Sequence, residues 1–322
     1  MDLTPNDIQR QALDAVDRIL ERNGDWQHNK KLVDQTAYDQ GLHDELAGAG
    51  FFELAVTDGA GPLDAALVVE RLAESAAVLA AAATALVFPM VTGEVASGPV
   101  ALANGLGNPF RMGQFAKTVL ILDGDTAKRL DVQAGDVADV NNDRTGWPLA
   151  RLSPAALQRA ASLGPGSGDK LRNWWRVGLA VETAGAMKGA LNTTVGYVKD
   201  RVQFGRPIGS FQAIQHRLAQ LAVNAEAAYW LGLEAAYRGA PAQAAAAAAA
   251  YVSANAPVML RECQQMHGAI GFTREYPLHL WTMRLPALQR ELGGMTRHAR
   301  DVAKSLAAAL EPQGARPMAT QL

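Results

Sequence analysis

One cysteine, Cys263, is all the thiol that 322 residues contain. A single thiol makes no internal disulfide, and no metal-type cysteine spacing exists. Cys263 therefore reads as a plain buried thiol. Surplus charge is missing too: the net charge is -2 at pH 7. Nucleic-acid binding needs clustered Lys and Arg to release counterions, so that class of partner is not expected. Apolar runs are interrupted before they reach bilayer length. The nearest candidate, ERLAESAAVLAAAATALVFPMV, opens with charges and is rich in alanine, which favours a buried helix. The first residues, MDLTPNDIQRQALDAVDRIL, are charged from the first turn and do not read as a signal peptide. A cytoplasmic protein without a membrane partner is the expectation. No P-loop, HExxH or GxSxG stretch occurs.

What is present is helical periodicity, broken once. The length suits two or three small domains or one multi-layer unit. Thr4-Pro5 followed by Asn6 and Asp7 reads as a helix start. Ile8, Ala12, Ala15 and Ile19 then recur on one face. GFFELAVTDGAGP reads as a turn region, and Leu67 opens a long alanine-rich helix predicted to end near Phe88-Pro89. Glycines at 93, 98, 105 and 107 then replace helical spacing. TVLILDG reads as a strand, and DVADV and WPLARL as further short ones. GPGSGDK closes this interval as a linker.

Helical character returns at Leu171. Val177, Val181, Ala184, Leu191 and Val195 form one core-facing stripe, and Ile214, Leu218, Leu221 and Ala225 a second. Pro241 ends that helix. The run Ala244 to Ala250 belongs to a third, and Pro257 is predicted to kink or interrupt it. The expected fold is mostly α with a small β-domain. It comprises an N-terminal helical domain over 1–90, a reduced middle β-domain over 91–165, a C-terminal four-helix bundle over 166–312 and a flexible tail over 313–322.

Two polar stretches resist assignment to core. The first is YVKDRVQFGRPIGSFQ, from Tyr197 to Gln212. Arg201 and Arg206 flank Gln203, Phe204 and Gly205. A turn there offers guanidinium and backbone N–H groups to a diphosphate, and Phe204 offers a face to a ring. The alternative is a helix-terminal turn with solvated arginines. The second stretch is QQMHGAIGFTREYP, in which Gly268 and Gly271 permit close approach of backbone to a ligand. It follows no strand, so it is no Rossmann fingerprint. His267 alone reads as structural.

Together these stretches resemble the acyl-CoA dehydrogenase family. Tyr197, Arg201, Gln203-Phe204-Gly205, Pro207-Ile208, Phe211-Gln212 and Gln215 match the stretch before the family's long second helix. Gln265, Gly268, Gly271-Phe272 and Glu275-Tyr276-Pro277 match its glycine turn. The similarity is strongest over 170–290, weaker over 1–90, where AGFFELAV stands at the family's first active-site loop, and poor between. The resemblance implies a helical domain, a β-domain and a four-helix bundle binding FAD. It also implies an oligomer in which this surface reaches the flavin of a neighbouring subunit. By carry-over, Arg201, Gln203, Phe204, Gln265, Gly268 and Ala269 belong to that cofactor half-site, with Ala269 where a second glycine is usual. Asn173 and Arg176 match substrate-binding positions. Implied partners are an acyl-CoA substrate, an electron-transfer flavoprotein or similar acceptor, and a second subunit in a homo-oligomer or a heterotetramer.

The departures fall in the flavin-wrapping segment and at the base. FPMVTGEVASGPVALANGLGNPF stands where the family has a threonine-glutamate-proline stretch and a GSD turn. Trp147 is followed by Pro148 instead of a hydroxyl residue. The family's reaction needs a carboxylate base. One family position for it is Trp175 here. The other, a glutamate-glycine pair after the glycine turn, falls on Leu292 by direct counting and on Glu291 with a one-residue shift. Glu291 is the expected catalytic base; Glu182 and Glu275 fit less well, and Arg284 is expected to pair with Glu291 or Glu275. Trp174, Trp175 and Trp281 either narrow an acyl cavity or pack helices. The expected activity is FAD-dependent α,β-dehydrogenation of an acyl-CoA. The alternative is a non-catalytic or half-site subunit of a heteromeric enzyme. The resemblance to short family members with a reduced β-domain, which occur in assemblies acting on bulky acyl-CoAs, favours that alternative; a bulky but short acyl group is the substrate guess.

Overall fold

A computed structural model describes residues 4–140 and 145–310, with side chains described to residue 307. The expected flexible tail, 313–322, lies outside the described residues. Five helical runs open the chain: α1 (Asp7–Asn23), α2 (Trp26–Asp34), α3 (Gln40–Gly48), α4 (Pro62–Glu74) and a run from Ala82 to Thr92 that ends in α5 (Phe88–Thr92). The start of α1 is a capping box: the Asn6 side chain accepts from the Gln9 backbone, and Gln9 returns the bond. Val16 and Ile19 face the core, whereas Ile8 of the predicted stripe is 72% exposed. It lies in the first turn of α1.

The predicted long helix from Leu67 to Pro89 is two runs. Pro62 starts the first, because proline at a first turn forfeits no helical bond. Ala76, at φ 58, breaks it. The second run opens as a π turn over Ala82–Val87 and continues through Pro89 to Thr92. Pro89 occupies the first turn of α5, where its missing N–H costs little.

The middle unit has two small sheets. In one, β1 (Val100–Asn104) pairs in parallel with β3 (Thr118–Asp123), then follow β4 (Thr126–Asp131) and β7 (Ala161–Ser162). In the other, β2 (Phe110–Arg111) and β5 (Val137–Val140) flank β6 (Leu149–Leu152), and α6 (Pro154–Arg159) precedes β7. The three predicted strand segments are β3, β5 and β6. Ala101, Ala103, Phe110, Val119, Ile121 and Leu130 are among the residues of a separate small core here. GPGSGDK is a packed joint instead of a linker. The Ala127 N–H donates to Ser167 Oγ at 2.9 Å, and a Cβ on Gly168 would stand 2.3 Å from the Asp125 carbonyl carbon.

The C-terminal part is a bundle of α7 (Ser167–Asp200), α8 (Gln212–Tyr237), α9 (Ala242–His267) and α12 (Gly294–Leu310). A hairpin of β8 (Val202–Gln203) and β9 (Arg206–Pro207) joins α7 to α8. Two short helices, α10 (His279–Thr282) and α11 (Leu285–Arg290), lead into α12. Buried residues on α7 occupy every face, because α4, α8 and α9 all pack on it. Gly185 and Gly189 allow this: a Cβ on either would lie 2.3 Å from the Glu70 carbonyl oxygen or from Trp281 Nε1. The predicted interruption at Pro257 does not occur; α9 runs unbroken through it. Packing of α9 on α7, α8, α11 and α12 outweighs the single lost backbone bond. No helix among the described residues is long and apolar enough to cross a membrane.

Candidate functional site

A cavity of about 500 Å³ opens where the three parts meet. The π turn contributes Ala82, Ala83 and Val87, β1 and the following loop contribute Leu102, Asn104 and Asn108, and α7 contributes Trp175, Gly178 and Glu182. The turn over Glu291–Gly293 closes the remaining wall. Its shape follows from three consecutive residues at positive φ: Leu292 at 53°, Gly293 at 90° and Gly294 at 67°. Glycine carries no penalty there, whereas Leu292 does, so Glu291 is presented by a strained turn. The π turn is tied to β1 by Val100 N–H donating to Thr84 Oγ1 at 3.1 Å.

Inside the wall sits a charged cluster. Arg111 Nε donates to Glu291 Oε1 at 2.6 Å, while its two terminal nitrogens donate to Glu182 at 2.8 and 3.0 Å. Trp175 Nε1 donates to the other Glu291 oxygen at 2.7 Å. Burial opposes the charge on Arg111, but Glu182 and Glu291 outweigh it and hold the guanidinium more firmly protonated than usual. The ring of Trp147 lies between two cations, Arg111 at 4.3 Å and Arg284 at 4.8 Å. Arg284 is 2% exposed and makes its hydrogen bond to the Ala77 carbonyl at 3.1 Å. Burial pulls it down to about 9, with Glu182 opposing and Arg111 assisting. The expected pairing of Arg284 with Glu291 or Glu275 is therefore absent. Arg111 occupies the place beside Glu291, and Glu275 is exposed.

The two polar stretches meet at the other end of the bundle. Tyr197, near the end of α7, stacks on His267, the last residue of α9, with ring centroids 4.3 Å apart. Its hydroxyl donates to the His267 carbonyl at 3.2 Å. This places the β8–β9 hairpin beside the turn that starts at Gly268. Phe204, at φ 54, and Gly205, at φ 77, form the hairpin tip, and Phe204 is 93% exposed. Arg201, Gln203, Gln265, Gly268 and Ala269 are exposed with it. Arg206 lies over Phe211 at 4.0 Å. His267 is buried, with Nδ1 on the Cys263 carbonyl at 2.8 Å, and burial lowers its pKa.

Asn173 and Arg176 sit on α7, near Trp175, but neither lines the cavity. Arg176 is 3% exposed and turned into the bundle, where Nη2 pairs with Asp301 and Nε donates to His298 Nδ1 at 3.3 Å. Trp174, Trp175 and Trp281 are all buried. Trp175 lines the cavity, and Trp281 caps the end of α4 through the Ala73 and Glu74 carbonyls. The sequence offered no sign of Arg111. It lies in a two-residue strand 180 positions from Glu291, and nothing local marks it.

A helical N-terminal layer, a small two-sheet unit and a bundle with an acidic turn at their junction define an acyl-CoA dehydrogenase fold. The chain superposes on the ChsE4–ChsE5 complex from Mycobacterium tuberculosis with a TM-score of 0.79 at 22% identity, covering 95% of this chain and 99% of that one. Butyryl-CoA dehydrogenase from Megasphaera elsdenii gives 0.78 at 20% identity, covering 95% and 100%. Residues 170–307 match the family described as acyl-CoA dehydrogenase, C-terminal domain. Acyl-CoA dehydrogenase IpdE2 of Mycobacterium tuberculosis is 35% identical over 177 residues, which is 51% of this chain and 55% of IpdE2. Acyl-CoA dehydrogenase FadE34 of the same organism is 38% identical over 142 residues, 42% of this chain and 20% of FadE34. The chain thus spans about half the length of IpdE2 and a fifth of FadE34.

Proposed function

We propose that this chain is a subunit of an FAD-dependent acyl-CoA dehydrogenase that oxidises the α,β-bond of an acyl-CoA thioester. The observation that carries this reading is Glu291, fixed in a strained turn on the wall of a cavity of about 500 Å³. A cavity of this size suits a small planar ligand and an acyl group.

The residues fit a flavin dinucleotide in two places. At the hairpin, Arg201 pairs with no carboxylate among the described residues, and residues 201–207 are exposed. Such donors suit a diphosphate. At the cavity, small side chains of the π turn and Gly178 leave room for a ring. Trp175 and Asp200 lie 25 residues apart on one helix, so the two places are separated by about 40 Å at 1.5 Å per residue. One cofactor does not serve both within one chain. The hairpin and the 268–271 turn therefore face the flavin of a neighbouring subunit, and Gln203, Phe204, Gln265 and Ala269 line that contact.

The bound flavin supplies hydride acceptance. Glu291 takes the proton from the carbon next to the thioester, with the Trp175 indole holding one of its oxygens. The apolar π-turn wall excludes water. An electron-transfer flavoprotein or similar acceptor then reoxidises the assembly, which works in the cytoplasm. Glu291→Gln keeps size and hydrogen bonding and removes the proton acceptor. Dehydrogenation is expected to fall on the order of 10²–10⁴-fold while acyl-CoA still binds. Turnover at the wild-type rate would discard Glu291 as base.

A second reading has its own observation. Both oxygens of Glu291 already accept strong hydrogen bonds, and an indole stands at the helix position for a base. In that case the chain lends its hairpin to a catalytic partner in a heterotetramer, and its own cavity is silent. In this reading Glu291→Gln leaves the activity of the assembly unchanged.

A further inference from the structure

The cavity holds a residue that neither reading assigns. Arg111 belongs to the sheet unit, yet each of its three side-chain nitrogens donates to the bundle or the base turn. Its backbone is pinned by pairing of Arg111 with Leu149 across β2 and β6, and by the next residue, Met112, whose N–H reaches the Pro148 carbonyl at 2.8 Å. Met112 is itself at φ 61 and 1% exposed, so the strand end is held in one conformation. Behind the guanidinium, the Trp147 ring gives a flat support at 4.3 Å. In front, Glu182 takes a two-bond grip that fixes the plane of the guanidinium. The remaining donor, Nε, then has one direction left, and it points at Glu291 Oε1 at 2.6 Å.

We propose that Arg111 is the positioning residue for Glu291: gripped by Glu182 and backed by Trp147, it holds the Glu291 carboxylate toward the cavity across the junction between sheet unit and bundle. Lysine does not reproduce this, because a point charge has no fork with which to hold two carboxylates in fixed directions. Glu291 sits on a turn with three left-handed residues, and among the described residues the Trp175 indole is its other side-chain partner. Without Arg111 the carboxylate is free to rotate about that single bond.

The proposal rests on Glu291 being the base, and its test separates the two ideas. Crystals of the cofactor-free protein are compared for wild type, Arg111→Ala and Arg111→Lys. In both variants the Glu291 carboxylate is expected to leave its wild-type position. Soaking Arg111→Ala with guanidinium ion is expected to return it. In the FAD-loaded assembly, kcat for Arg111→Ala is expected to fall by about 10- to 100-fold, the scale of a misplaced catalytic group. KM should change little, and guanidinium should restore kcat where Arg111→Lys does not. A Glu291 side chain unmoved in both variants overturns the proposal. So does a rise in kcat, which would make Arg111 a lock on the base. A wild-type assembly without dehydrogenation sinks the reading of Glu291 as base, while the crystallographic comparison still decides what Arg111 does.

Discussion

His298 shows how much one residue can hinge on its surroundings. It is completely buried on α12, with Nδ1 accepting from Arg176, and Arg297 and Asp301 are close by. Burial first, then the Arg176 charge, push it down to about 4, against the Glu291 carbonyl and Asp301. Its folded pKa is thus below its unfolded value, and the unfolded chain binds more protons between about pH 4 and 6.5. Stability is full above this window and is lost as pH falls through it, by roughly 3 kcal/mol at 1.36 kcal/mol per unit. Urea unfolding of wild type and His298→Gln at pH 4.5 and 7 checks this. The variant should lose less on acidification, and equal acid sensitivity would show that His298 is not the titrating group. Arg176 belongs to the same buried cluster. Its sequence match to a substrate contact is a match of position, whereas its guanidinium is occupied by Asp301 and His298.

At the scale of elements, α7 was legible and its neighbours less so. Its stripe of Val177, Val181 and Ala184 is buried as the spacing predicts. The spacing did not reveal that the opposite face is buried too, since that depends on α4 docking where Gly185 and Gly189 leave space. A methyl group at Gly189 would meet the Glu74 carbonyl oxygen at 2.4 Å and Trp281 Nε1 at 2.3 Å. Gly189→Ala is expected to destabilise by about 1–3 kcal/mol, the usual cost of overpacking. The gain of helix propensity from glycine to alanine, about 1 kcal/mol, offsets only part of it. A thermal unfolding midpoint equal to wild type would mean that α4 yields easily. Prolines misled twice in the same direction: Pro257 sits inside α9, whose packing outweighs a missing N–H, and Pro89 in the first turn of α5, where little is lost.

At the scale of the whole molecule, the exposed hairpin tip carries the proposed subunit contact. Phe204 is 93% and Phe272 71% exposed, and Phe204 adopts a backbone conformation that costs a non-glycine residue energy. Phe204→Asn relieves that cost and removes the apolar ring. The isolated chain is expected to unfold at an equal or higher temperature, while the assembly loses mass in size-exclusion chromatography with light scattering and retains less FAD. An assembly that keeps both mass and flavin would place the tip outside the interface. The same preparation tests the partner question: flavin retained only after co-expression with a second acyl-CoA dehydrogenase subunit points to a heteromer, and retention by this chain alone to a homo-oligomer.

Sequence by itself determined what depends on neighbours along the chain. The helix start at Asn6, the strand TVLILDG, the alanine-rich third helix and the glycine turn at 268 are all short-range patterns, and each is where its pattern puts it. The family resemblance was legible for the same reason, because it is carried by two compact stretches. Tertiary structure decided the rest of the site. Glu291 meets Arg111 across 180 positions and Trp175 across 116, and Arg111 meets Glu182 across 71. No periodicity spans such separations. A buried charge survives only where the fold brings it an opposite charge, so the cluster exists only once sheet unit and bundle have closed on each other.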